Sequence, residues 1–268
     1  MAARCLLALL GLIWAGAGLA EPRLPSDCIA LAQNAATATP VRYGPSTDEQ
    51  VLIRYLDHAE FAIATRTLLA VTDYRGLIGN PDVLPDVVTM NNAHDTHYTD
   101  HPDPRIPLIL RGWPVAGRPA AIDLDLGPMR IRNVTTNLRG PFGEGSRRDG
   151  NSIFIFEAAG LCIGHLSHLH QIPTPAQYAA IGRLDVVMVP VDGAFTMDVA
   201  DMADVVRHLH PRIVLPMHWF SPEGLARFLV QLNPDFTITV PDSPEILVSR
   251  ATLPGRPTVV VLQPALFE

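Results

Sequence analysis

Residues 161–170 of this chain read LCIGHLSHLH, an apolar run followed by three histidines. The same succession occurs twice more: residues 87–97 read VVTMNNAHDTH, and residues 213–218 read IVLPMH. Short apolar runs of this kind predict buried strands. Because ligands bind beyond the carboxyl ends of strands in α/β sheets, the three segments together predict one histidine-rich site at a sheet edge.

The sequence around these segments predicts an α/β fold. Further strands are predicted at Val51–Leu56, Glu60–Ala64, Leu68–Thr72, Leu108–Leu110, Met129–Val134, Ser152–Phe156, Asp185–Val189, Thr237–Val240 and Thr258–Leu262. Helical periodicity predicts helices at Pro175–Ile181, Met197–Leu209 and Pro222–Leu232. No compositional break marks a linker, so we predict one α/β domain over residues 51–268, with helices outside its sheets, after an irregular segment at residues 21–50.

Composition restricts the class of protein. Hydrophobic residues make up 48% of the 268 residues and charged residues 18%, which permits a large core and excludes disorder as the main state. The net charge of −7 argues against a nucleic-acid binder. All 20 basic residues are arginines, which excludes Schiff-base chemistry on lysine.

The first twenty residues have the pattern of a secretory signal peptide. Arg4 supplies the positive charge, Cys5–Ala20 is apolar, and the run ends in small residues before Glu21. The alternative is an uncleaved anchor, but the apolar run is short for a membrane-spanning helix. We therefore expect cleavage after Ala20 and a soluble periplasmic or secreted protein that no longer binds the membrane.

Export would allow Cys28 and Cys162 to form a disulfide, because the compartments outside the cytoplasm are oxidising. The alternative is two unpaired thiols, with Cys162 buried in the apolar run GLCIG. The sequence does not give the distance between them, and we expect them to be unpaired.

The histidines are the candidate ligands of a metal ion, since neutral imidazole is the commonest protein ligand for zinc, iron and copper. A single histidine near a strand end is usually an ordinary hydrogen-bonded residue. We assign that role to His58, His101, His208 and His210. For the others, the coincidence of three histidine-bearing strand ends favours a metal site.

Five segments resemble the metallo-β-lactamase fold superfamily, in its branch of metal-dependent hydrolases related to the ascorbate-phosphate lactonases. They are the opening hairpin at residues 51–63, the strand ending in Asp at 71–73, and residues 150–156, 185–193 and 213–218. The resemblance extends from about Val51 to Leu232. It implies an αββα sandwich with a metal in a groove at its edge.

The metal motif departs from the family pattern His-x-His-x-Asp-His. Asn92 stands in place of the first histidine and Thr96 in place of the aspartate. Asn137 stands near the position of the next family histidine, and His168 replaces the aspartate that bridges two metals. The last family histidine is present as His218.

The resemblance with these changes implies one metal rather than two, because two adjacent divalent ions need a carboxylate or hydroxide between them. His97, His168 and His218 would hold it, leaving the open position of a catalytic zinc site, which could also suit iron or copper. His94 would be a fourth ligand or contact the bound water. His165 and His170 are reserve candidates because they neighbour His168.

Asp192 replaces a residue that is usually glycine in the segment bordering the family's metal groove. It could orient a bound water or take its proton, or it could be a turn aspartate that bonds its own backbone. Trp219 and Phe220 directly follow His218 and could line a substrate groove, although such aromatics are more often core or rim residues.

Two functions are open. A metal-activated water would hydrolyse an ester, lactone, amide or phosphoester of a small molecule. Alternatively, the chain is a non-hydrolytic periplasmic metal-binding or partner protein on the same scaffold. The four candidate histidines favour the first, and the changed motif positions favour the second.

Overall fold

The structure is a computed structural model that describes Cys28, residues 43–139 and residues 146–268. The predicted signal peptide, and all of residues 21–42 except Cys28, lie outside the described residues. In chain order the described residues form β1 (Val51–Asp57), β2 (Glu60–Ala64), β3 (Leu69–Val71), β4 (Val87–Met90), β5 (Leu108–Arg111), β6 (Asp123–Asp125), β7 (Met129–Arg139), β8 (Ser146–Ala158), β9 (Leu161–His165), α1 (Pro175–Ile181), β10 (Val186–Pro190), α2 (Val199–Leu209), β11 (Ile213–Met217), α3 (Pro222–Leu232), β12 (Thr237–Thr239), β13 (Glu245–Val248) and β14 (Thr258–Val260).

The strands form two mixed sheets. The first has the order β13-β1-β2-β3-β4-β5, and the second has the order β12-β14-β11-β10-β9-β8-β7-β6. Within the second sheet β9, β10, β11 and β14 run parallel, whereas β6 to β9 form antiparallel neighbours. The parallel strands therefore end together at one edge of the sheet.

The two sheets pack face to face through alternating apolar residues. On β1, Val51, Ile53 and Tyr55 are buried and point into the layer between the sheets. Phe154 and Phe156 on β8 enter the same layer from the second sheet. A strand places alternate side chains on opposite faces, so each of these strands contributes every second residue to the shared core.

Helices cover the outer face of the second sheet. Val205 and Val206 of α2 and Phe228 of α3 share one apolar cluster with Val187 and Val214 of the strands beneath. The first turns of α1, α2 and α3 are capped by the side chains of Thr174, Asp198 and Ser221, respectively. None of the helices in the described ranges is both long and apolar enough to cross a membrane.

The architecture confirms the predicted α/β sandwich of two sheets packed face to face. Every predicted strand and helix is present, whereas β6 and β13 were not predicted. β6 reads DLD, a sheet-edge segment with one apolar residue and too little periodicity to identify. In the described part of the chain, the outer face of the first sheet is covered by loop and C-terminal residues such as Tyr74, Ile106 and Phe267 rather than by helices.

The expectation that Cys28 and Cys162 are unpaired is wrong. The two residues form a disulfide with their Cα atoms 5.8 Å apart, although 134 positions separate them in the chain. The bond joins the N-terminal segment to β9, the strand that leads into His165 and His168. Their proximity depends on the tertiary structure, which is why residue spacing did not reveal it.

Candidate metal centre

Histidines from both sheets reach the same end of the sandwich. In the first sheet, His58 lies in the turn between β1 and β2, and His94 and His97 lie in the loop after β4. In the second sheet, His168 follows β9 and His218 follows β11. Since β9 and β11 both run parallel to β10, their carboxyl ends deliver these side chains to one edge, as is usual for ligand sites in α/β sheets.

The structure brings together the four histidines predicted to bind metal. The ring centroids of His94 and His97 are 4.5 Å apart. The His168 ring lies 5.0 Å from His94 and 5.2 Å from His97. The His218 ring lies 5.2 Å from both His97 and His168. Four imidazoles from three separate segments therefore surround one small volume.

His58 belongs to the same cluster, contrary to the ordinary role expected from its sequence context. Its ring centroid is 4.0 Å from that of His218 and 5.4 Å from that of His97. The His58 carbonyl accepts hydrogen bonds from the Tyr55 hydroxyl at 2.7 Å and from the His218 backbone N–H at 2.8 Å. A histidine in a hairpin turn carries no local signal of such a role, because the contact with His218 is made only in the folded chain.

The cluster consists of imidazoles. One ring nitrogen each from His58, His94, His97 and His218 lies within 4.8 Å of the others, and in the described ranges no carboxylate joins this group. His168 adjoins the four but is not a member of the tightest set. A bridging carboxylate, which two adjacent divalent ions need, is thus missing from this group, in line with the predicted replacement by His168.

Asp73 positions His97. The Asp73 carboxylate is fully buried, and its Oδ2 lies 2.6 Å from Nδ1 of His97. Ser167 Oγ donates to the same oxygen at 2.7 Å, and Asn91 Nδ2 donates to Oδ1 at 3.0 Å. Because a carboxylate can only accept, Nδ1 of His97 carries the proton and Nε2 keeps its lone pair. This carboxylate–histidine arrangement is the usual outer-shell support of a metal ligand.

The charge on Asp73 is kept by its neighbours. Burial alone would raise the pKa of Asp73, but the nearby His165 and His97 outweigh burial and lower it below its usual range. The sequence shows Asp73 only as the aspartate that ends a strand, and its contact with His97 is a property of the fold.

Asp192 has the contacts of a turn aspartate and also contacts a cluster histidine. Its Oδ2 accepts backbone N–H groups of Ala194 at 2.9 Å, Phe195 at 2.5 Å and Thr196 at 3.2 Å. Its Oδ1 accepts the Thr196 hydroxyl and lies 3.0 Å from Nδ1 of His218. Both oxygens are engaged, which favours a positioning role. The use of Asp192 as a proton acceptor stays a prediction.

Several cluster nitrogens are buried without a partner among the described residues. They are Nε2 of His58 and of His97, and both ring nitrogens of His168 and of His218, although Nδ1 of His218 lies 3.0 Å from Asp192. The Thr96 hydroxyl contacts Nδ1 of His94 at 2.8 Å, which leaves Nε2 of that ring for another contact. Buried polar atoms are normally satisfied, and unpartnered groups at one place indicate a missing ion or water.

Burial lowers the pKa of His58, His94, His168 and His218 and so favours the neutral form, which is the form that binds metals. Burial, followed by the neighbouring rings, lowers the pKa of His58 and of His168 to about 2. Burial and the adjacent His97 lower the pKa of His94 to about 4. The donor set therefore fits a divalent transition metal, because several of its buried ring nitrogens have no hydrogen-bond partner among the described residues.

The reserve candidates lie outside the cluster. The fully buried His165 bonds the Ala59 carbonyl through Nε2 at 2.8 Å and so links β9 to the β1–β2 hairpin. The half-buried His170 bonds the backbone of Asn137. The Asn137 side chain itself accepts the backbone N–H of Asp149 at 3.1 Å, within the β7–β8 pair. Neither histidine ring contacts the rings of the cluster in the described part of the chain.

Comparisons with known proteins identify the family of this chain. A family model described as the beta-lactamase superfamily domain matches residues 52–218, more than half of the chain. A UPF0173 metal-dependent hydrolase of Pyrococcus abyssi is 26% identical over 193 residues, which are 63% of this chain and 84% of that protein. A UPF0173 protein of Pyrococcus furiosus is 31% identical over 103 residues, which are 36% of this chain and only 41% of the relative.

A solved structure shows the same fold. It is described as that of a Zn-dependent hydrolase of the metallo-β-lactamase superfamily from Thermotoga maritima. Its TM-score against this chain is 0.56 at 27% sequence identity, and the match covers 79% of this chain and 98% of that one.

Replacing Asp73 by Asn tests the support of His97. A neutral amide oxygen accepts the hydrogen bond from Nδ1 of His97 less strongly than the charged carboxylate does. We therefore expect the affinity for Zn²⁺ to fall about 10–100-fold. Competition with a chromophoric chelator measures the affinity, and thermal unfolding checks that the variant is folded. Asp100→Asn, an exposed aspartate in the same loop, is the matched control and should leave affinity unchanged. Equal affinities of the two variants would contradict the assignment.

Proposed function

The chain belongs to the metallo-β-lactamase superfamily, and from that premise we propose that it is a metal-dependent hydrolase of a small molecule that contains an ester, lactone, amide or phosphoester. The observation that carries the proposal is the cluster of imidazoles with unpartnered nitrogens at the edge of the sandwich. The names of the relatives from Pyrococcus abyssi and Thermotoga maritima, both metal-dependent hydrolases, support the same activity.

We propose that one zinc ion is held by His97, His168 and His218, with His94 as the fourth ligand or in contact with the bound water. Iron or copper would also suit these donors. When bound, such an ion supplies Lewis acidity that activates water and polarises a carbonyl or phosphoryl oxygen. The imidazole-only donor group supports one ion rather than two, since it has no carboxylate to offset a second divalent charge.

The protein itself would orient the donors. The Asp73 carboxylate bonds Nδ1 of His97 and leaves Nε2 of that ring for the metal. Asp192 lies 3.0 Å from Nδ1 of His218, which supports the same orientation for the second ring. The Thr96 hydroxyl contacts Nδ1 of His94 and holds the orientation of that ring. Burial lowers the pKa of His94 and His168, which reduces the competition between protons and metal at these two rings.

His58 competes with His168 for a place in this set. Five imidazoles exceed the four positions of a tetrahedral ion. His58 belongs to the tightest group of nitrogens, whereas His168 has both of its nitrogens buried and unpartnered. We propose His168 as the ligand because it stands where the family has a metal ligand.

We also propose that the protein is exported. The pattern of Met1–Ala20 supports this, and so does the disulfide between Cys28 and Cys162, because such bonds persist mainly in oxidising compartments.

Metal titration of single variants tests the ligand set. We expect the wild type to bind one equivalent of Zn²⁺. His168→Ala should lose affinity by more than about 100-fold, because loss of an outer-shell partner alone costs about 10–100-fold. His58→Ala should change affinity far less, and the exposed His101→Ala should not change it. Inductively coupled plasma analysis gives the stoichiometry. A larger loss in His58→Ala than in His168→Ala would replace His168 by His58 in the site.

Hydrolysis itself is tested with esters, lactones and phosphoesters in the presence and absence of a chelator. We expect turnover of at least one class that is abolished by the chelator and recovered with added Zn²⁺. A fully metal-loaded protein that hydrolyses none of them would favour the alternative of a non-hydrolytic metal-binding protein. The altered motif residues Asn92, Thr96 and His168 are the specific observation that supports this alternative.

Intact-mass analysis tests export. Protein recovered from the periplasm should begin near Glu21, because the predicted signal peptide ends at Ala20. Its mass should rise by about 2 Da on reduction, since the bond between Cys28 and Cys162 takes up two hydrogens. Exported protein that retains Met1–Ala20 would contradict the cleavage, and an unchanged mass on reduction would contradict the disulfide.

A further inference from the structure

Two exposed phenylalanines flank the imidazole cluster. Phe195 and Phe220 are each 62% exposed, and their ring centroids lie 5.7 Å apart in an edge-to-face arrangement. The Phe220 ring is 5.3 Å from the ring of His218 and 5.5 Å from that of His58. Aromatic side chains left in solvent beside a polar site are the usual lining of a ligand pocket.

The segment that carries Phe195 is held firmly on both sides. The Asp192 carboxylate accepts the backbone N–H groups of residues 194–196. On the other side, the Arg139 guanidinium donates to the carbonyl of Ala194 at 2.9 Å and to that of Thr196 at 3.2 Å. Both the N–H groups and the carbonyl groups of the backbone around Phe195 are therefore hydrogen-bonded. These bonds fix the segment with the Phe195 ring exposed to solvent.

Phe220 is fixed in a similar way. It lies between His218, whose N–H donates to the His58 carbonyl, and Ser221, whose hydroxyl accepts the Gly224 N–H at the start of α3. Two rigid attachments on different elements thus present an apolar surface next to the candidate metal ligands. Such preorganisation reduces the entropy lost when a ligand binds.

We infer that Phe195 and Phe220 form the binding surface for an apolar acyl group of the substrate, either an aromatic ring or an alkyl chain. This inference rests on the proposed function, since it places the scissile carbonyl at the imidazole cluster and the acyl group against the two rings. The substrate class is then esters or lactones of apolar carboxylic acids, and the product is a carboxylate with an apolar tail. The two rings determine specificity and take no part in the chemical step.

Binding of product-like probes tests the inference without any need for turnover. The Zn²⁺-loaded protein is titrated with phenylacetate and with acetate, which share the carboxylate and differ in the aromatic ring. We expect phenylacetate to bind about tenfold more tightly than acetate, the size of effect expected for aromatic contacts. The Phe195→Ala/Phe220→Ala variant should bind phenylacetate about as weakly as acetate, with acetate binding unchanged. Val230→Ala, which removes an exposed apolar side chain on α3, is the matched control.

The outcomes separate this inference from the proposed function. If no ester is hydrolysed but the preference for phenylacetate depends on the two rings, the hydrolase proposal fails and the binding surface stands. If esters are hydrolysed but the double variant keeps the preference, the inference is overturned and the hydrolase stands. A wild-type dimer that becomes monomeric in the double variant would also overturn it, because the rings would then be a contact between two copies of the chain.

Discussion

The buried carboxylate of Asp73 is the contact on which the site depends. It follows β3 in the first sheet, and it binds Asn91 at the end of β4, His97 in the next loop and Ser167 after β9 of the second sheet. Asn91 also accepts the backbone N–H of Ser152 on β8 at 2.8 Å. One charged group thereby ties the edges of both sheets to a candidate metal ligand. A buried charge is tolerated only when it is paired and hydrogen-bonded, so this edge of the sandwich has a single acceptable arrangement.

The backbone around that contact is strained. Asp73 has a φ of 42°, Ser167 of 49°, His58 of 45° and His218 of 55°, all in the left-handed region that favours glycine. Such conformations cost of order 1–3 kcal/mol each and persist where the surrounding structure enforces them. Here they turn the chain sharply at the ends of β9 and β11, in the β1–β2 hairpin and after β3, so that side chains from four segments point into one volume. Backbone strain concentrated at one place is characteristic of functional sites.

The cluster differs from a two-metal centre in its charge. Its donors are imidazoles, and the nearby carboxylates of Asp73 and Asp192 lie behind His97 and His218. The carboxylates thus orient ligands instead of bridging ions. Asp192 has a second effect, since the same side chain that contacts His218 fixes the backbone of Phe195. The proposed ligand geometry and the proposed apolar binding surface therefore depend on one aspartate.

Apolar runs and helical periodicity are local properties, so they were enough to predict the three helices and all strands except β6 and β13. They also placed His94, His97, His168 and His218 beyond three strand ends. Three features depend instead on how the chain folds: the membership of His58, the disulfide between Cys28 and Cys162, and the contacts of Asp73 and Asp192 with histidines. Each of these joins residues far apart in the chain, and the distance between such residues is set by how the two sheets pack, which no local pattern encodes.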